Sequence, residues 1–541
     1  MAFDSLGEYV RALRRAGELV EVSARVSPYL EIAEITDRVV KAGGPALLFS
    51  NVAGSEFPVL TNQFGSERRM AMAFDARSLD EVGARIRRAI EPRVPKTRQG
   101  QLGKLVALGA LAAAIPYTIK KDAPVQEVVE RDPDLRTLPV LQTWPLDGGP
   151  FITLGLVVTK DPETGSQNVG IYRIQVYDGT TAAMHWQRHK QGRAHAAKWG
   201  RRTPVAVVIG ADPAITYAAT APLPPMIDEV PFAGFLRGRS VRLVRCKTVD
   251  LKVPADAEFV LEGYVDNDDL RVEGPFGDHT GVYSLADYYP TFHVECITRR
   301  RRPIYAATVV GKPPMEDAWL GKATERIFLP LLQMIVPEIV DYNLPVEGGF
   351  HNLALVSVRK SYPGQAKKVM NALWGLGHMM MLTRCIVVVD ADVDVQDPRA
   401  VAWTALNNVD PSRDLVVMPG PVDDLDHSGS FLPALGHKLG VDATRKGPSE
   451  GYVRTWPPDI AMDFDTRALV TRRWSEYGLD DLEPRSMLWS GQGLGALHAL
   501  LTSAAFAPGS IDGAALRASG VPAPGVPGPA RATDRERGSP P

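Results

Sequence analysis

Between residues 151 and 310 the chain sets down six short apolar runs, 152–158, 168–176, 205–209, 241–244, 259–265 and 292–297, each bounded by Gly, Asp or Pro. Short strands so closely spaced can bury their apolar faces only by folding back on one another, which predicts a β-barrel or sandwich. After Pro314 the pattern changes: helical spacing at 324–335, 365–374 and 398–407 alternates with strand runs at 353–358 and 385–389. That alternation predicts βαβ units around a mostly parallel sheet. A chain of 541 residues has room for about three or four domains of this kind.

The N-terminal stretch reads as a smaller α/β unit. Leu6, Val10 and Leu13 recur at helical spacing, Ser5 with Glu8 forms a capping-box pair, and Gly17 supplies the stop. A second helix is predicted over 31–40; Gly43 and Gly44 then break the chain before a short apolar strand at 46–49. Residues 105–119 carry no charge, but they contain Pro116 and fall short of the roughly 20 residues of a membrane-spanning helix. They predict a docking or interfacial helix, with contact to a greasy substrate or a membrane surface as the alternative. At the other end, 488–506 predicts an amphipathic dimerisation helix, and the Pro, Gly and Ala beyond Gly513 predict a flexible tail. The fold class expected is multidomain α+β and α/β: an N-terminal α/β domain 1–125 with a connecting helix, a β-rich domain 126–320, a C-terminal α/β domain 321–485, a dimerisation helix 486–510 and a tail 511–541.

Composition narrows the partners. Lys and Arg number 61 against 63 Asp and Glu, a net charge of −2, so nothing global draws the chain to nucleic acid and any anion site must be local. Cys246, Cys296 and Cys385 lie far apart without a CxxC pair, which argues against a disulfide framework or a thiolate zinc site and for a reducing compartment. The first residues lack a basic stretch followed by an apolar run, so a cytoplasmic location is expected, with peripheral membrane contact through 105–119 as a refinement.

Several motifs have bland readings that win. Asp390, Asp392 and Asp394 resemble the start of a calcium loop, but Val395 stands where the turn needs Gly and Val401 where it needs Glu, so these acids are expected to end a strand and cap the next helix. Gly491, Gly493 and Ala496 imitate a dinucleotide fingerprint without the preceding strand. His185 and His189 have zincin spacing, but Trp186 occupies the place of the general-base Glu, and by spacing alone each is an ordinary histidine. The densest functional candidate is Glu273-Gly274-Pro275-Phe276-Gly277-Asp278-His279-Thr280-Gly281. Its Gly and Pro residues allow a sharp bend that brings Glu273 and Asp278 to one cavity. Two neighbouring carboxylates repel, so one is expected to stay protonated near neutral pH and act as an acid while the other stays ionised.

Five blocks taken together resemble the UbiD family of prenylated-FMN-dependent decarboxylases. They are Asn168 to Gln175, Met184 to Lys190, Asp228 to Gly234, Glu273 to Gly281 and Leu435 to Gly440, in family order over roughly residues 122–473. The resemblance implies a central split β-barrel of flavin-reductase type and a terminal dimer helix. It also implies that Asn168, His189 and Glu229 hold a divalent cation, usually manganese, bridging to the cofactor phosphate, with a potassium ion on backbone carbonyls nearby. An amide oxygen, an imidazole and a carboxylate form a donor set acceptable to manganese. Ile171, Tyr172, Arg173, His185, Trp186, Gln187, Lys190 and Gln191 match cofactor-contacting stretches, and Lys438 matches a phosphate-side lysine. Arg173, Glu273 and Asp278 match the catalytic acid–Arg–acid network, with Asp in the final position where some relatives carry Glu.

The function implied is a reversible, non-oxidative decarboxylation of a hydroxybenzoate- or hydroxynaphthoate-type acid in ubiquinone or menaquinone synthesis. The resemblance adds a homodimer or homohexamer and a UbiX-type flavin prenyltransferase as cofactor supplier. The alternatives are an FMN-dependent oxidoreductase on the same barrel, disfavoured because no dinucleotide fingerprint stands between strand and helix, and a non-catalytic scaffold, which has no need of an acid–Arg–acid cluster.

Overall fold

The computed structural model describes residues 3–90, 109, 114–188, 190–223, 227–427 and 434–479. The first helix, Leu6–Arg15, forms as its spacing predicts and buries Leu6, Tyr9, Val10 and Leu13. Ser5 Oγ accepts the Glu8 N–H at 3.3 Å, but the Glu8 carboxylate reaches back to the Asp4 N–H at 2.8 Å, so the reciprocal half of the box is shifted by one residue. The helix Glu31–Lys41 and the strand Ala46–Phe49 also form where expected.

The N-terminal sheet recruits a strand from far along the chain. Leu19–Val22 pairs parallel with Ala46–Phe49, which pairs antiparallel with Val59–Thr61, and the fourth member is Tyr305–Ala306. Immediately after it the long helix Glu316–Ile335 packs on Leu79–Ile90, and Gly83 makes that crossing close: a Cβ there would lie 2.6 Å from the Arg326 carbonyl oxygen. Glu316 accepts the Phe64 N–H at 2.7 Å across the same junction. Residues Met1–Ala468 accordingly form one compact unit.

The central sheet has seven strands. Its path runs Thr181–Ala183, Asp287–Arg299, Phe259–Glu273, Arg202–Ile209, Leu156–Lys160, Gln167–Ile171, with Val128–Glu130 added beside Asp287–Arg299. Every pairing is antiparallel, and no closed barrel is found among the described residues. Along Arg202–Ile209, Val205, Val207 and Ile209 enter one hydrophobic cluster while Ala206 and Val208 enter another, so the sheet is buried on both faces. Two departures from the sequence pattern build the site. The run at 259–265 continues as one strand to Glu273, because a register shift between Asp266 and Leu270 absorbs the polar Asp266 to Asp269 stretch that ends the apolar pattern. The run at 168–176 is interrupted at Tyr172 and Arg173, between Gln167–Ile171 and Ile174–Gln175.

The C-terminal sheet is mixed rather than mostly parallel. In the order Ile339–Asn343, Leu353–Val358, Cys385–Asp390, Leu435–Asp442, Leu415–Pro421, the two inner pairings are parallel and the two outer ones antiparallel. Gln365–Trp374 supplies a parallel crossover, while the short return between Asn343 and Leu353 suits the antiparallel pairing of that edge. Asp390 ends its strand as expected, but the cap of Pro398–Asn408 is Asp397 rather than Asp390, Asp392 or Asp394; Asp390 and Asp392 pair with Arg445. Of 105–119, only 109 and 114–119 lie among the described residues; there Tyr117–Thr118 is a strand parallel to Arg242–Arg245, so the expected helix does not extend to Ile119. Leu469–Pro541 forms a second unit, in which Trp474–Tyr477 is a short 3-10 turn. The expected dimerisation helix, the Gly491, Gly493 and Ala496 motif and the tail lie outside the described residues.

Replacing Gly83 by Val forces apart the two helices that join the N-terminal sheet to the rest. The expected loss is about 1–3 kcal/mol of unfolding free energy, read as a lower urea midpoint with unchanged far-ultraviolet dichroism.

Candidate active site

The break in the strand at Tyr172 and Arg173 turns Arg173 toward the end of Phe259–Glu273. Arg173 Nε donates to Glu273 Oε1 at 2.8 Å and Nη2 to Glu273 Oε2 at 3.2 Å, while Nη1 donates to Asp278 Oδ2 at 2.8 Å. Phe276, between the two acids in sequence, lies under the guanidinium at 4.9 Å from its ring centroid. His185 Nδ1 meets the remaining side of Glu273 Oε2 at 3.1 Å, and its ring stacks on Tyr289 at 4.2 Å. The Glu273 carboxyl is wholly buried, and that of Asp278 is 8% exposed.

Electrostatics decide the state of these acids. Burial pushes Glu273 up, but the His185 hydrogen bond and the Arg173 charge outweigh it and hold the carboxyl below its ordinary value. Burial likewise opposes the charge of Asp278, and the His279 hydrogen bond and the charges of His279 and Arg173 overcome it. The expectation that one acid stays protonated through mutual repulsion is therefore corrected: a guanidinium from a distant strand stands between them and keeps both ionised. Burial lowers His185, so its imidazole is neutral and its Nδ1–H serves as a donor to Glu273.

A cavity of about 400 Å³ opens against Arg173, His185, Asp278, Phe276 and Ile171. A neighbouring one of about 280 Å³ is lined by Asn168, Gln191 and Glu229, and both share Tyr172, Gln187 and Lys190. Helix N-termini deliver two of these groups, Gln191 opening Gln191–Trp199 and Glu229 opening Glu229–Arg237. Asn168 Oδ1 faces Gln191 Oε1 at 2.5 Å and Glu229 Oε1 at 3.2 Å, contacts that become hydrogen bonds only with the amide turned over so that its nitrogen donates, and the Val169 N–H donates to Glu229 Oε2 at 3.0 Å. Burial lifts the Glu229 carboxyl to about 7. Lys190 Nζ bonds the Ile171 carbonyl at 2.9 Å and lies over the Tyr172 ring. Trp186 packs edge-on against Tyr172, and the Tyr172 hydroxyl and Trp186 indole N–H are buried without a hydrogen-bond partner among the described residues. Gly192 makes room for that hydroxyl, since a Cβ there would sit 2.6 Å from it.

The structure thus gathers Asn168, Tyr172, Arg173, Gln187, Lys190, Gln191 and Glu229, with Ile171, His185 and Trp186 around them. Two expected residues are not in this group. His189 lies outside the described residues. Lys438, buried in Leu435–Asp442, donates to the Met381 carbonyl at 2.5 Å and the Thr383 carbonyl at 2.9 Å, and it does not line either cavity. Among the described residues no three His, Cys, Asp or Glu side chains cluster as a ready metal site. Sequence reasoning assigned nothing to His279, Asp317, Phe350 or His351, which complete the far wall of the larger cavity. His279 was visible beside Asp278, whereas no sequence signal ties His351 to it.

Removing the charge between the two acids tests this electrostatic account. Arg173→Met is expected to destabilise the fold by about 3–5 kcal/mol near neutral pH, because two buried carboxylates lose their counter-ion. The wild-type acids titrate below their ordinary values, so their stabilisation is present above the ordinary carboxylate range and is lost only as pH falls through the lowered folded values. In the variant the carboxyls titrate higher, and the deficit shrinks on acidification as they take up protons; denaturant unfolding between pH 4 and pH 7 reads this slope.

The sequence matches three profiles in order: the 3-octaprenyl-4-hydroxybenzoate carboxy-lyase N-terminal domain over residues 10–87, its Rift-related domain over 117–313 and its C-terminal domain over 318–443. An uncharacterised protein of Archaeoglobus fulgidus is 54% identical over 481 residues, covering 88% of this chain and 99% of the relative. One from Aquifex aeolicus is 48% identical over 484 residues, with coverage of 88% and 99%. Among solved structures, Sedimentibacter hydroxybenzoicus vanillic acid decarboxylase in closed form superposes with a TM-score of 0.76 at 28% identity, covering 90% of this chain and all of its own. The UbiD-class enzyme HmfF from Pelotomaculum thermopropionicum in complex with FMN gives a TM-score of 0.70 at 29% identity, covering 84% and 97%. The acid–Arg–acid wall, the three ordered profiles and near-complete coverage of these relatives lead to one conclusion: this chain belongs to the UbiD family and is a carboxy-lyase.

Proposed function

We propose that the protein is a prenylated-FMN-dependent decarboxylase of a hydroxylated aromatic acid, serving ubiquinone or menaquinone synthesis. The observation that carries this reading is Arg173 held between two buried acids at the wall of a cavity of about 400 Å³. HmfF is described in complex with FMN and, in an evolved dimeric form, with prFMN. The Sedimentibacter enzyme is named for vanillic acid, and the family profiles name a polyprenylated hydroxybenzoate.

The donor groups suit such a cofactor. The side-chain oxygens of Asn168, Gln191 and Glu229 converge on one spot, a hard-donor set of the kind manganese takes. The unpartnered Tyr172 hydroxyl and Trp186 N–H offer buried hydrogen bonds to a polar ligand. Asn168 and Glu229, with His189, would hold the divalent cation; Lys190 is better placed than Lys438 to meet a phosphate as a point charge. Potassium on backbone carbonyls completes the ion set implied by the resemblance, and the central sheet corresponds to the split β-barrel of flavin-reductase type.

Prenylated FMN supplies the electron sink that no coded side chain provides. The chain's residues do the rest. The two acids take three of the five N–H groups of Arg173, through Nε, Nη1 and Nη2, which leaves one N–H on each Nη for a substrate carboxylate. Glu273 and His185 fix the guanidinium plane, and Phe276 covers its face. Asp278 stands where it can return a proton to the carbon that loses carbon dioxide.

The three-part division 1–125, 126–320 and 321–485 and a homodimer or homohexamer belong to the same proposal. Val453, Ile460 and Met462 leave apolar side chains exposed near the end of the first unit, as a surface covered in an oligomer would. No helix of the described residues is long and apolar enough to cross a membrane; peripheral contact through 105–119 is the membrane role proposed.

Coexpression with a flavin prenyltransferase, mass measurement of the bound ligand and a screen of hydroxybenzoates and hydroxynaphthoates for released carbon dioxide test this reading. Unmodified FMN with hydride exchange would favour the oxidoreductase instead. Asp278→Asn is expected to lower carbon dioxide release by about 10²-fold or more while flavin is retained. Glu229→Gln is expected to reduce the manganese and flavin that survive dialysis, measured by elemental analysis and absorbance.

A further inference from the structure

The loop that supplies Asp278 continues directly into His279, and this imidazole joins the acid to a distant part of the chain. Asp278 Oδ1 accepts both the His279 backbone N–H and its Nδ1 at 2.8 Å, and His279 Nε2 faces Nε2 of His351 at 2.6 Å. A carboxylate only accepts, so Nδ1 carries a proton, and a single proton lies between the two Nε2 atoms. When His279 is an imidazolium, both of its N–H groups have acceptors, Asp278 on one side and neutral His351 on the other.

The surroundings favour that charge state. Burial opposes the charge of His279, but the Asp278 hydrogen bond and charge outweigh it and raise the imidazole above its ordinary 6.5. Asp317, in the first turn of Glu316–Ile335, and Asp423, after Leu415–Pro421, add to this. His351 is driven the other way, to about 4, by burial and by the His279 charge against Asp423, Asp278 and Asp426. The placement is built rather than incidental. Phe350, which precedes His351, has φ +51° without being glycine, packs 5.1 Å from the His279 ring and sits against Gly321, where a Cβ would meet it at 3.0 Å.

We propose that His279 is the proton-holding partner of Asp278, kept in register by His351, and that it recharges the acid in each turnover. The inference rests on the decarboxylase reading above. The bond from ring carbon to carboxylate breaks and carbon dioxide leaves; Asp278, ionised at rest, takes the His279 Nδ1 proton on Oδ1 and hands it to the carbon, so the electron pair ends in a new C–H bond, Asp278 is again a carboxylate and His279 is left neutral with its hydrogen on Nε2. One solvent proton resets the pair. Asp278 also borders a second cavity, of about 260 Å³, lined by Lys41, Trp144, Tyr283 and Lys312, which offers the route for that proton; the balance is one proton consumed per carbon dioxide released. His279 and His351 are positioning residues in this scheme; the group that meets substrate is Asp278.

Two measurements on the full chain test it. In the cofactor-free protein, carbon-13 histidine NMR is expected to show His279 titrating above 6.5, falling by about one unit or more in Asp278→Asn and falling also in His351→Ala. In the loaded enzyme, His279→Asn is expected to lose about 10²-fold in turnover at unchanged KM, together with the alkaline fall in rate that reports imidazolium deprotonation. His279 titrating at or below 6.5, or an Asn variant that keeps both rate and alkaline limb, would overturn the relay while carbon dioxide release by the wild type leaves the decarboxylase intact. A raised His279 in a wild type that releases no carbon dioxide from aromatic acids would overturn the decarboxylase reading and the relay with it.

Discussion

A single guanidinium organises this site. Glu273 and Asp278 come from one bent segment and are both buried, an arrangement that would drive at least one of them to take up a proton if nothing stood between them. Arg173 stands there, donating to both; Phe276 covers its face, and His185 bonds the Glu273 carboxylate that Arg173 grips. Pairing inside a protein does not by itself add stability, since desolvating the charges offsets much of their attraction. What the arrangement supplies is definition: an anion-binding face whose orientation is fixed before any ligand arrives.

The fold serves that constraint at two points. Arg173 can turn toward the acids because the strand is interrupted at Tyr172 and Arg173, and Glu273 reaches the site because its strand runs on through an irregularity in register. Each is a local fault in a regular ladder, and each lies beside the chemistry, where faults that re-aim a side chain are commonly found. The helix Glu316–Ile335 then closes the far side with Asp317, Leu320 and Gly321, so residues from widely separated stretches of chain line one cavity.

Much of this was legible in the order of residues. The helices at Leu6 and Gln365 and the strands at Ala46, Leu353 and Cys385 follow from periodicity and capping, which act over a few residues. The bent acidic segment was legible too, because Gly and Pro announce it. Illegible were effects that depend on distant partners. The ionisation of Glu273 and Asp278 hinges on a residue roughly a hundred positions upstream, and one edge of the C-terminal sheet takes its direction from a short return rather than from any apolar pattern. Lys438 shows the same limit from the other side: its motif matched, but its ammonium is spent on two backbone carbonyls.

The strand Tyr305–Ala306 bears on how the molecule is made. Synthesis proceeds from the N-terminus, so Leu19–Val22, Ala46–Phe49 and Val59–Thr61 leave the ribosome long before the segment that covers the open edge at Val59–Thr61 exists. Contacts so remote in sequence form slowly, and an unpaired edge is a template for the wrong neighbour in the meantime. The nascent N-terminal sheet thus has much to gain from a chaperone, and its folding is complete only when translation has passed the catalytic loop.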